Sequence, residues 1–303
     1  MPTSRKTIGV IGLGSIGLRH AKNLLAMGHA VHGFDPDQER MKLFFESGGH
    51  AGATDFSTIL EALVIASPSE QHLSDLGKAV GAGKHIFIEK PIATGDANSV
   101  KHLVSWSTLE TGKVVMVGNN LRFHSCVKKA REWLSARLIG RPLWANFTLA
   151  QYNDKYTEDV VLNWGSHELD LARYLLGPCW VKAAVGDREI ADIILMHDIG
   201  CRTTGHLDYV TKPERREFMI GGTEGVLRIN LVARWATIHS PGNIMTHSTL
   251  ESEAGSFDED YIAEMHAFID LIDGKPVPHA ATGMDGLAVL ELCLEAKKMA
   301  GIV

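Results

Sequence analysis

Six residues constrain this chain more than any others: Gly12-Leu13-Gly14-Ser15-Ile16-Gly17, set between a β-branched run at 7–12 and a stretch with helical apolar spacing at Ile16, His20, Leu24 and Met27. Turning from strand to helix within so few residues needs a sharp bend, which Gly12 permits, and Gly17 lets the helix lie close on the strand. Gly14 lets a pyrophosphate approach the backbone, where Ser15, Ile16 and the opening turn present N–H groups and a partial positive charge. The pattern predicts a dinucleotide site in the first βα turn.

The alternation continues. Apolar runs at 30–35, 62–67, 85–90 and 114–119, with a weaker one at 50–53, are separated by amphipathic stretches. Near-continuous hydrophobicity marks strands buried on both faces, hence a parallel sheet covered by helices and, with right-handed crossovers, a doubly wound α/β unit. Asp35 closes the second strand 21 residues after Gly14 (35 − 14). A carboxylate there accepts from both ribose hydroxyls and repels a 2′-phosphate, which favours NAD over NADP. Arg19 and Arg40 are the nearest cations, and neither directly follows the acid. Asp35 can equally cap the helix that begins beyond Pro36.

Ligands of open parallel sheets bind beyond the carboxyl ends of the strands. The remaining ends carry Ser67, Pro68 and His72, then Glu89-Lys90-Pro91, then Asn119. The Glu89-Lys90 pair reads two ways: a solvated strand boundary, or a lysine that donates to a substrate hydroxyl and stabilises developing alkoxide charge.

Composition excludes several classes. A length of 303 residues suggests two domains. Lys+Arg 30 against Asp+Glu 36, with the cations dispersed, argues against nucleic acid. No apolar run is long enough to span a bilayer and the start has no signal-like stretch, so a cytoplasmic location is expected. Cys126, Cys179, Cys201 and Cys293 form no C-x-x-C pair, so buried free thiols are expected and no disulfide framework. His197, Cys201 and His206 lack tetrahedral-site spacing, and no metal is expected.

The order GLGSIG, Asp35, SPSEQH, EKP, then GNNLRFH, GSHELDLARYLLG and IGGTEGVLRINL, resembles the glucose–fructose oxidoreductase, inositol dehydrogenase and MocA family of nicotinamide-dependent sugar oxidoreductases. The resemblance spans nearly the whole chain. GSIGLRHAKNL, NLRFH and SHELD look most like members acting on nonulosonic acids or amino sugars. It implies a dinucleotide-binding domain at 1–121 and, at 122–303, a substrate and oligomerisation domain built on a large, mostly antiparallel open sheet. The family's open face often mediates association, so a homodimer or homotetramer is expected. The runs at 143–152, 192–198, 201–210, 216–222 and 225–231, after a helix at 124–138, read as strands of such a sheet. The stretch between Tyr152 and Asn163 looks abbreviated for the family.

Asn163, His167, Asp170 and Tyr174 fall on one side of an expected helix. His167 matches the family's catalytic histidine, which takes the hydroxyl proton as hydride leaves for nicotinamide. Asn163 stands where the family commonly has an aspartate; an amide orients an imidazole but supplies no charge, so Asp159 or Asp170 can take over. Arg122 either clamps a substrate carboxylate or pairs with Glu89. The run 212–216 reads as a solvated hairpin tip. The expected activity is NAD-dependent hydride transfer to or from a secondary hydroxyl of a sugar, amino sugar or polyol; the alternative is an NAD-binding regulatory protein of the same fold.

Overall fold

The computed structural model describes residues 5–50, 56, 58–248 and 258–302. It comprises two compact units, Met1–Asn119 with Tyr261–Ala288, and Asn120–Asp260 with Val289–Val303. The linear division at 121/122 therefore differs from the compact one, because Tyr261–Ala288 returns to the first unit.

In the first unit, β1 (Thr7–Ile11), β2 (Ala30–Phe34), β3 (Ala62–Ile65), β4 (His85–Glu89) and β5 (Val115–Gly118) are parallel, and β14 (Ala281–Thr282) runs antiparallel to β5. The order is β14-β5-β4-β3-β1-β2. Ile8, Val10, Leu63, Val64, Ile86 and Phe87 are fully buried, as expected for strands covered on both faces. The covering helices include α1 (Ser15–Ala26), α2 (Gln38–Glu46), α3 (His72–Gly81), α4 (Ala97–Ser105) and most of α8 (Asp258–Ile272). Sheet order reverses at β1, with β2 on one side and β3 on the other, so a crevice opens at their carboxyl ends. His50 makes only a parallel bridge to His32. Residues 51–53 of the expected weak strand lie outside the described residues.

The second unit holds an eight-stranded sheet of β6 (Pro142–Ala150), β7 (Cys179–Gly186), β8 (Ile190–His197), β9 (Arg202–Asp208), β10 (Arg215–Gly222), β11 (Val226–Asn230), β12 (Trp235–Ser240) and β13 (Asn243–Ser248). Its order is β13-β12-β11-β10-β6-β9-β8-β7, antiparallel except for β6 with β9. Along β6, Ala145, Phe147 and Leu149 are buried, whereas Trp144, Asn146 and Thr148 alternate onto the other face. Helices α5 (Ser125–Ser135) and α7 (Gly165–Leu176) lie on the sheet, with α6 (Val160–Asn163) leading into α7 and α9 (Gly283–Ala300) near the chain end.

Two local expectations are corrected. Strands β9 and β10 flank β6, so 212–216 is part of a crossing connection and not a hairpin tip. Arg216 is not solvated either: it makes a two-point ion pair with Glu168, at 2.7 and 2.9 Å. The helix expected through 163–174 breaks at Trp164, leaving Asn163 as the last residue of α6 and His167 in the first turn of α7. Strands β7, β12, β13 and β14 escape the sequence reading.

Candidate active site

The three glycines of the first βα turn carry separate constraints. Gly12 has φ +83, and a Cβ there would meet the Ala66 carbonyl oxygen at 2.5 Å. At Gly17 a Cβ would come within 1.9 Å of the Gly12 carbonyl oxygen, so helix and loop touch backbone to backbone. Gly14 is different: a Cβ there would meet nothing within 4 Å. That open side, with no side-chain cap and no acid in the first turn of α1, fits a bound phosphate.

Asp35 leaves β2 beside this loop. Its Oδ2 accepts the Leu13 N–H at 2.7 Å and its Oδ1 the Asp37 N–H at 2.9 Å. The acid thus ties the glycine turn to the end of β2, while capping of α2 falls to Asp37, which accepts from Glu39 and Arg40. The Arg40 guanidinium lies 3.4 Å from Asp35 and is half-exposed; Arg19 stacks on the Tyr261 ring at 4.7 Å.

The other strand ends converge in the first unit. His72 braces two of them, with Nε2 2.8 Å from the Ser67 carbonyl and Nδ1 2.7 Å from the Pro91 carbonyl. It is buried and holds the loops after β3 and β4, whereas Ser67 donates to Asp75 at 2.8 Å. Asn119, at the end of β5, is buried, and its Nδ2 meets no hydrogen-bond partner among the described residues. A buried amide left open at a strand end suits a site completed by a ligand. Glu89 accepts the Lys90 N–H through Oε2 at 3.2 Å, and its Oε1 lies 2.6 Å from His20 Nε2. Glu264 of α8 joins them, and the ligating atoms of His20, Glu89 and Glu264 lie within 4.8 Å of one another. His20 and Glu264 stand far along the chain from Glu89, and no local spacing announces them.

In the second unit, Arg122 has a partner that no local spacing announces. Its Nε and Nη2 donate to Asp170 Oδ2 and Oδ1 at 2.8 and 2.6 Å, and its guanidinium stacks on Tyr174 at 5.0 Å. Asp170 is thereby committed to an arginine, and Asp159 to capping Leu162 and pairing with Lys297 at 2.7 Å. Asn163 faces Tyr209, a buried phenol at the end of β9 stacked on Tyr156 (4.8 Å) and edge-on to Trp164 (4.6 Å). Burial pushes the Tyr209 phenol well above its ordinary acidity range, against the opposing influence of Asn163. His197 is held by the Gly177 carbonyl and Thr203.

A doubly wound sheet with this glycine turn belongs to the class of dinucleotide-binding α/β folds. Residues 6–119 match the model of the GFO_IDH_MocA oxidoreductase family, NAD-binding Rossmann fold. Scyllo-inositol 2-dehydrogenase (NAD(+)) of Bacillus subtilis is 32% identical over 55% of this chain, which spans 53% of that protein. Inositol 2-dehydrogenase of Ralstonia nicotianae is 24% identical over 97% of this chain and 95% of its own. Among solved structures, levoglucosan dehydrogenase with NADH and levoglucosan superposes with a TM-score of 0.86 at 20% identity, covering 98% of each chain. Residues 6–119 are thus similar to the NAD-binding Rossmann domain of that oxidoreductase family, and the likeness to the inositol dehydrogenase of Ralstonia nicotianae runs along most of the chain.

Proposed function

We propose that this protein is an NAD-dependent dehydrogenase that oxidises a secondary hydroxyl of a sugar, amino sugar or polyol, or reduces the matching carbonyl. The observation that carries the reading is the anchoring of Lys90: Glu89 accepts its peptide N–H at the end of β4, in the same sheet as the glycine turn that matches an NAD-binding family. NAD, when bound, supplies the hydride acceptor. Gly12, Gly14, Ser15, Ile16 and Gly17 take its phosphates, Asp35 its adenosine ribose, and the ends at Ser67, Pro68, Glu89 and Asn119 the nicotinamide half, with His72 fixing the loops. Lys90 donates to the reacting oxygen and stabilises negative charge on it, and His167 accepts the hydroxyl proton. Asn163 orients the base without adding charge. Relatives named for inositols and a neighbour named for levoglucosan support the substrate class.

Asp170 takes Nε and Nη2 of Arg122, which supports a structural part for this arginine beside its expected place in substrate binding. The open face of the second unit's sheet carries a groove of about 800 Å³ lined by Thr148, His206, Arg215 and Arg228 among others. This face joins copies of the chain into a homodimer or homotetramer, which sedimentation tests. No helix among the described residues is long and apolar enough to cross a membrane. The cell compartment proposed is the cytoplasm.

The deciding experiment is a turnover screen: inositols, aldoses and nucleotide-linked amino sugars with NAD+, followed by NADH absorbance. Turnover of at least one polyol or sugar is expected. Tight NADH binding with no turnover on the whole panel would instead support a regulatory protein, the reading favoured by Asn163 in place of an aspartate.

A further inference from the structure

The peptide of Lys90 is held by a network for which hydride transfer has no direct use. His20 stands three residues after Gly17, one turn into α1, and is fully buried. Its Nε2 lies 2.6 Å from Glu89 Oε1, and the other oxygen of that carboxylate accepts the Lys90 N–H at 3.2 Å. The ring packs edge-on against Phe87 and Tyr261, with centroids 5.0 and 5.9 Å away. Gly118 makes room for the carboxylate, since a Cβ there would approach it to 3.0 Å. An imidazole with no exposed surface offers nothing to a ligand directly, so its influence passes through Glu89.

The terminal torsion of a glutamate is soft. A carboxylate held at one oxygen swings; held at both, it stays. We infer that His20 is a positioning residue, which by pinning Glu89 fixes the peptide of Lys90 and ties the helix of the phosphate loop to the reacting end of β4. The inference deepens the reading of Lys90 as the active-site cation and rests on it. It also has a signature that needs no turnover, the protection of the Lys90 amide hydrogen.

Two substitutions with the same functional group separate positioning from packing. A glutamine amide nitrogen reaches where Nε2 lies, whereas an asparagine reaches only as far as Nδ1. In His20→Gln, slow exchange of the Lys90 amide and kcat within about threefold of wild type are expected. In His20→Asn, the amide exchanges faster and kcat falls about 10-fold to 100-fold, the scale of a misplacement near 1 Å, with KM and NADH affinity little changed. Equal Lys90 exchange in wild type and both variants overturns the inference. Equal impairment of both with a matching drop in Tm also overturns it, by assigning His20 to packing. Should His20→Asn fail to fold, Glu89→Leu decides: it takes away the carboxylate that accepts the Lys90 N–H, so unchanged exchange there overturns the inference. A wild type without turnover defeats the proposed function alone, because the exchange measurement still judges the link.

Discussion

Arg122 and Asp170 meet fork to fork, Nε to Oδ2 at 2.8 Å and Nη2 to Oδ1 at 2.6 Å, with both side chains almost wholly buried. A buried pair of this kind contributes modestly as a pair, yet each partner alone is costly. Arg122→Met should therefore lower stability by about 3–5 kcal/mol in denaturant titration, by stranding the Asp170 carboxylate. Adding Asp170→Leu should recover most of that loss. Unchanged stability of Arg122→Met would restore the arginine to the role of substrate clamp.

On the proposed reading, the charge of Asp35 sets the cofactor preference. NADH should bind more tightly than NADPH in fluorescence titration, and Asp35→Ser should narrow the gap. The loss for NADH should reach about 1.5–3 kcal/mol, the scale of hydrogen bonds to a charged acceptor. Part of it comes from freeing the Leu13 N–H, which the acid holds at 2.7 Å. Tighter NADPH binding by wild type would refute the assignment, with Arg40 at 3.4 Å the first suspect.

Lys90→Met keeps most of the stem and removes the ammonium. Its kcat should fall by roughly 10² or more, while Tm and NADH affinity hold, since the Glu89 contact is to the backbone N–H and survives. An unfolded or fully active variant would return Lys90 to a structural role.

Asn163→Asp places a carboxylate four residues before His167, across the break at Trp164, and against the Tyr209 hydroxyl. A charge partner favours imidazolium, so the acidic limb of the kcat/KM profile should move to higher pH. His167→Ala should remove most turnover with NADH binding intact. A profile indifferent to both changes would send the proton elsewhere.

Acid should find a weak point at His124. It caps α5 by accepting the Cys126 N–H, and burial depresses its pKa from 6.5 to about 3. The unfolded chain therefore binds this proton first: the stability tied to the neutral ring is present above 6.5 and is lost as pH falls toward about 3. The loss should amount to roughly 2 kcal/mol near pH 5. His85, depressed to about 4 by burial, acts in the same direction. His124→Asn keeps a capping side chain without the titration, so its unfolding free energy should fall less between pH 8 and 5 than that of wild type.

What could be read from the sequence was what local chemistry writes there. Gly12, Gly14 and Gly17 each stand where the backbone demands them, and strands β1 to β5 match apolar runs that no helix period explains. The second unit was legible at β6, β8, β9, β10 and β11, where strand-like runs stand between turn residues. The two residues of β14 are too few to make a pattern. Pairings across long separations were hidden altogether: Arg122 with Asp170 lies 48 residues apart and His20 with Glu89 lies 69 apart. The expected helix through Asn163 and His167 failed at Trp164, where the spacing of polar residues continues although the helix does not.

The return of Tyr261–Ala288 to the first unit bears on how the protein is made. On the ribosome, residues 1–119 emerge first, with all five parallel strands, yet β5 then has an open edge and Phe87 lacks the Phe268 ring that packs on it at 5.7 Å. The cofactor-binding half must wait, unfinished, through the synthesis of most of the other half. A fragment ending near Asn119 should accordingly be poorly soluble, and holdase chaperones should act on the nascent chain during that interval.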